Sequence, residues 1–422
     1  MSWKSKLKRI PGASKTIQLA RRAEAVFAGV RQRSAARRAV EKVVVPSPNR
    51  EQWFVGYYDH SPFKPNDESL LLVHATRHPA WRTPSPRVPV SILLVDWRTG
   101  HKVKELGHSF AWNWQQGARA LWFDQETAIF NVYDDKRDAY CARLVGVDGK
   151  VQGQLPVPVQ EVDCRGRVYS FSYEALTRIR PDYGYRNRPP AARSLEENAI
   201  EVFDPATNAH QVLLPISELQ EDAGRRHGVT VTRAKFNHLM ASPDARRLAF
   251  LFRYFVHDRR VTDLYFLDMR SGKPILSVSD AGVSHACWWG EESLLATMNG
   301  SSGFGYYRVF VDGGEPELVW RYSDGHPGYL GDTRFLTDTY PDHHGLRHLL
   351  IRSVSGDMHK EVAAFPEPLL FLGEKRCDLH PSVSSSGRWL QVDCALGHRR
   401  CVAVLPNPES ALAWCGPSFH DT

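Results

Sequence analysis

The chain has 422 residues, with 54 Lys and Arg against 47 Asp and Glu and a formal net charge of +7. The excess sits at one end: between Lys4 and Lys42 only Glu24 and Glu41 are acidic, so the rest of the chain is near neutral and no nucleic-acid partner is expected. An odd set of seven cysteines in a long chain argues against a disulfide framework; no apolar run is long enough to span a bilayer, and the N-terminus lacks the apolar stretch of a secretory signal, so the expected location is the cytoplasm.

Residues 1–45 read as a basic extension. From Lys15 to Val40 the pattern predicts a helix, with Ile17, Ala20, Val26 and Val30 loosely on one side and arginines on the others. Two readings stand for it: a solvated extension, or a basic amphipathic helix through which residues 1–40 touch an anionic membrane surface.

Residues 46–422 are repetitive. FNHLMASPDARRLAFLFRY, from Phe236, opens with a histidine, turns at SPD and continues as an apolar strand. The same layout recurs from Ser284, Gly325 and Leu379, and a Leu follows each histidine at one fixed offset: Leu248 after His238, Leu295 after His285, Leu336 after His326, Leu390 after His380. The early segment YYDHSPF fits too, with Leu70 after His60. The four later histidines lie roughly 40–55 residues apart, the length of a four-stranded propeller blade. Each motif is followed by a strand–turn–strand segment. Two further units, one holding NWQQG and one carrying an insertion near Pro181–Glu197, fill the gap after His60. The fold predicted is therefore all-β, a seven-bladed β-propeller, monomeric, behind a helical N-terminal extension. Lys42–Pro46 or Trp53–Gly56 is expected to close the last blade, because a closed ring leaves no free sheet edge.

Innermost strands of a propeller run in one direction along the central channel, so residues at one register converge. His238, His285, His326 and His380 come from four consecutive blades, and Cys377 and Asp378 lie just before the last of them. Imidazoles with a thiolate or carboxylate bind divalent metals; zinc is the expected ion, with manganese and calcium as alternatives.

GYYDHSPF, AWNWQQG, FNH…SPD, GH…TDTYPD and RCDLHP together resemble seven-bladed lyases of the ulvan type and, more distantly, oligogalacturonate lyases. The resemblance spans most of residues 50–405. It implies β-elimination on a uronic-acid polysaccharide or oligosaccharide, with Tyr, His and Arg acting at the reaction centre. It also implies a metal at His238, His285, Cys377 and His380, with His326 adjacent. The chain departs from the pattern where those enzymes place histidines: here stand Gln115, Gln116 and Asn131, which do not titrate. The remaining acid–base candidates lie in the irregular unit, chiefly Tyr169, Arg180 and Tyr183. The alternative is a non-catalytic propeller that binds a glycan or a protein in cell-surface polysaccharide assembly.

Overall fold

The computed structural model describes residues 20, 23, 24, 27, 29–48, 50–187, 198–355 and 358–410. Seven antiparallel sheets follow one another along the chain and form a seven-bladed propeller. In blade 1 the inner strand is broken into Gln52–Phe54 and Phe63–Lys64. The inner strands of blades 2 to 7 are Leu121–Trp122, Glu161–Val162, Ala234–Ala241, Ala286–Trp288, Gly328–Tyr329 and Ser382–Val383. Each pairs with the strand that follows it, so every blade grows outward in chain order.

The histidine–leucine spacing reflects this geometry. Leu248, Leu295, Leu336 and Leu390 all lie on second strands and are at most 1% exposed, packed between neighbouring blades. Leu70 is half-buried. Blade 7 supplies only three strands of its own, and its outer edge is completed from the other end of the chain. The Val45 N–H donates to Val402 O (2.9 Å), and the Val404 N–H donates to Val43 O (3.0 Å). Of the two segments expected to close the ring, Lys42–Pro46 does so; Trp53 begins blade 1.

The helix described in the extension is Val30–Glu41, and it lies against the outer strand His359–Pro366 of blade 6. Val40 is buried in the same core as Leu336 and Leu390. The Arg33 guanidinium donates to Gly345 O (2.6 Å) and Glu367 O (2.8 Å). This part of the extension is thus built into the propeller, with residues 43–45 paired to blade 7. The helix expected from Lys15, and much of the insertion after Tyr185, fall outside the described residues. All six described cysteines are free thiols, and among the described residues no helix is long and apolar enough to cross a membrane.

Candidate functional site

Four of the predicted histidines do meet in the channel. Ring centroids are 6.1 Å apart for His238 and His285, 4.1 Å for His285 and His326, and 4.6 Å for His326 and His380. All four are buried. His238 and His380 adopt left-handed backbone, at φ 55° and 45°. That conformation is uncommon outside glycine and clusters where function demands it. At His238 it coincides with an irregularity in the pairing between Asn237 and Met240, which turns the imidazole out of the strand alternation and into the channel.

Carboxylates behind the rings set their tautomers. The His326 Nδ1–H donates to Asp338 (2.8 Å), and the His285 Nδ1–H donates to Asp324 (3.2 Å). Each carboxylate thus holds its ring by Nδ1 and leaves Nε2 turned away from it, the arrangement that orients metal-ligating histidines. The Nε2 atoms of His326 and His380 are buried without a hydrogen-bond partner among the described residues. Ligand atoms of His326, Asp378 and His380 lie within 4.8 Å of one another. Burial holds the imidazoles of His238, His285 and His380 below their ordinary pKa, while Asp338 raises that of His326 against the same burial. Three of the four rings are thus neutral and can act as ligands or bases.

Cys377 is a correction. Its side chain packs with Ala80, Phe371 and Ala395, away from the imidazoles, and burial pushes its thiol up to about 12. Asp378, the next residue, turns inward instead, beside His326 and His380. With the thiolate gone, the donor set is nitrogen and oxygen, and the argument that favoured zinc goes with it.

Two aromatic residues that sequence reasoning quoted but assigned no role complete the site. Tyr57 and Tyr58 lie in the break of the inner strand of blade 1. Asp393 of blade 7 fixes that break by accepting the Val55 and Gly56 N–H groups, both at 2.8 Å. Gly56 is required there: at φ 112° a Cβ would lie 2.8 Å from the backbone of Gln116. The Tyr57 hydroxyl is hydrogen-bonded to His238 Nδ1 and lies 3.0 Å from its Nε2, with the two rings stacked. The Tyr58 hydroxyl is bound to both backbone groups of Ala286 (3.1 Å each), and its ring lies against His326 and His380. GYY, one residue removed from a histidine at the blade register, was the available signal.

Arg376, four residues before His380, and the segment Arg180–Tyr183 meet at one mouth of the channel. Arg376 donates to Asp378 (2.6 Å), Asp182 (3.1 Å) and the Tyr183 hydroxyl (3.1 Å). Arg180 makes two bonds to Asp182, both 2.8 Å, and its guanidinium lies over the Tyr183 ring. Tyr183 meets Tyr57 and His238 edge-on. The predicted pair Arg180 and Tyr183 thus joins the histidines. Burial outweighs both arginines, however, and holds the Tyr183 phenol above its ordinary pKa, which makes it a proton donor rather than a base.

Three other expected residues part company with this mouth. Tyr169 sits on the second strand of blade 3 with its hydroxyl donating to Asp163 (3.0 Å), and burial raises its pKa. Asn131 clamps blade 2 to blade 3: its amide donates to Val159 O and the Tyr185 hydroxyl (2.9 Å each) and accepts the Val159 N–H (2.6 Å). Gln116 lies beside Tyr57 and Arg119, with its Oε1 unpartnered. His60, at the repeat register but blades away, joins Asp59 and Glu161 instead, with Nε2 2.8 Å from Glu161. That group lines a cavity of about 360 Å³ on the far side of Tyr58.

No family model matches the chain, and no curated protein matches it. Solved structures do. A structure of oligogalacturonate lyase in complex with manganese superposes with a TM-score of 0.60 at 13% identity, covering 87% of this chain and 93% of that one. TolB from Acinetobacter baumannii gives a TM-score of 0.39 at 12% identity, covering 77% and 78% of the two chains. A puromycin-hydrolysing peptidase from Mycobacterium tuberculosis gives 0.46 at 14%, covering 87% and 55%. At such identities the likeness is one of fold, and propellers serve many functions.

Proposed function

We propose that the protein is a lyase acting on a uronic-acid-containing glycan by β-elimination, with a divalent cation held in the channel. The observation that carries this reading is the convergence of free imidazole nitrogens, two tyrosines and two arginines at one mouth of a propeller resembling that of a manganese-bound oligogalacturonate lyase. The residues fit a cation: two buried Nε2 atoms lack partners among the described residues, and Asp378 stands beside them. His285, His326, His380 and Asp378 would hold it, and nitrogen–oxygen donors suit manganese as well as zinc. Such an ion supplies positive charge to the uronate carboxylate, which makes the adjacent C5 proton more acidic.

The chain's own groups supply the rest. His238 is neutral and aimed into the channel, and accepts the C5 proton, with Tyr57 fixing its ring. The electron pair of the C5–H bond becomes the C4=C5 double bond as the C4–O bond breaks. Tyr183 protonates the departing oxygen, since its hydroxyl accepts a bond from Arg376 and keeps its own proton free. The guanidinium groups of Arg180 and Arg376 offset the developing charge.

Incubation with oligogalacturonate, glucuronan and ulvan oligomers plus manganese is expected to yield the ultraviolet absorbance of an unsaturated uronate. Tyr183→Phe and His238→Ala should each lower kcat by roughly 10²–10⁴-fold, the usual worth of a positioned acid or base. Absence of the chromophore across the panel, or full turnover in both variants, would overturn the assignment.

A further inference from the structure

Lys235 and Arg253 are an electrostatic anomaly beside the histidines. They are direct cross-strand partners on the first two strands of blade 4. Their neighbours in register, Phe236 and Phe252, enter the core on one face of the blade. Strand alternation therefore sends Lys235 and Arg253 together to the other face, toward blade 5. They are 2% and 7% exposed. Like charges directly opposite one another destabilise a sheet, and buried charges normally find an opposite partner.

Here the partners are neutral. Lys235 Nζ donates to Asn237 Oδ1 (2.6 Å). Arg253 donates to the carbonyls of Val283 (3.1 Å) and Ser284 (3.2 Å), and its Nε has no partner among the described residues. Neither makes an ion pair among the described residues. The two carboxylates whose charge reaches them are already engaged: Asp182 by Arg180 and Arg376, Asp324 by His285, Ser284 and Thr297. Burial depresses both groups; Arg253 and Arg180 add to it at Lys235, and Arg180 and Arg260 add to it at Arg253, which falls to about 10. Asn237 precedes His238, and Ser284 precedes His285, so the pair stands at the same mouth as the reaction centre.

We infer that Lys235 and Arg253 form an anion subsite, which binds a second oxyanion of the glycan, a uronate carboxylate or a sulfate ester, on the sugar next to the one that is cleaved. It rests on the reading of this mouth as a glycan site, and it adds that the substrate carries acid groups on adjacent residues. A protein that keeps two cations buried without a counter-charge is less stable alone than with its anion.

The test is binding, which needs no turnover. Sodium sulfate and sodium glucuronate, each against sodium chloride at matched ionic strength, should raise the melting temperature saturably; the stronger of the two identifies the group. Lys235→Met should abolish that rise, yet melt higher than the native protein without ligand, because an uncompensated cation has been removed. Lys235→Arg should retain anion binding. The inference is overturned if neither anion shifts the native protein, if Lys235→Met keeps the shift, or if it melts lower without ligand, as a purely structural lysine would. Lyase activity indifferent to Lys235→Met would also remove the subsite while leaving the lyase standing; anion binding without turnover would do the reverse.

Discussion

His238 and His380 hold left-handed backbone at matching ends of two blades. For a residue with a Cβ this stores about 1–3 kcal/mol, which the surrounding structure must impose. Cys377 shows the converse: one residue from Asp378, it packs into an apolar cluster instead. Asp338 marks the difference between a ligand and the group that aims it, since its carboxylate fixes the Nδ1–H of His326. Asp338→Asn should weaken metal binding roughly 10–100-fold, the usual effect of losing such a support, while Cys377→Ser leaves it unchanged. Elemental analysis of protein purified without chelator, followed by manganese titration, checks both. Metal lost from the cysteine variant and kept in the asparagine variant would reverse the assignment.

The NWQQG segment was legible in the sequence as a motif, but its part in the fold was not. It is a turn that locks blade 1 to blade 2. Asn113 Oδ1 accepts the N–H groups of Gln115 (2.9 Å) and Gln116 (2.8 Å), and a Cβ on Gly117 would lie 2.2 Å from the His74 ring. His74 bridges the two elements: its Nδ1–H donates to Val55 O and its Nε2 accepts the Ala118 N–H, both at 3.0 Å. The acceptor role needs a neutral ring, and burial lowers its pKa from 6.5 to about 4. A folded pKa below the unfolded one gives stability that is fully present above pH 6.5 and lost as pH falls toward 4, a loss of ~3 kcal/mol. Urea unfolding at several pH values should show that slope, and His74→Gln should flatten it; equal slopes would place the titration elsewhere. The register of each inner strand was readable because repetition fixes it. What escaped was everything set between non-repeating elements: the Asp393 brace on Val55 and Gly56, the Arg376–Tyr183 contact and the Asn131 clamp all join residues far apart in sequence.

At the scale of the whole molecule, the ring is closed by non-covalent pairing between the two ends of the fold. The closing strand at residues 43–45 brings backbone bonds to blade 7, Val45 is 2% exposed and Val40 is 1% exposed. Burying two such valines contributes about 3–6 kcal/mol. The strand that the closing segment pairs with lies next to the one that carries Asp393, which braces Val55 and Gly56 ahead of Tyr57 and Tyr58. Closure is therefore expected to control the site as well as stability. Removal of residues 1–28, ahead of the docked helix, should leave the melting temperature nearly unchanged. Removal of residues 1–46 should lower it by several degrees and weaken manganese binding in parallel, because blade 7 then presents an unpaired edge and blade 1 loses its support. Val45→Asp in the full chain probes the same junction without shortening it, and should reproduce both effects. If the longer truncation and Val45→Asp melt like the native protein, the ring is held by the inner contacts alone and the N-terminal strand is dispensable.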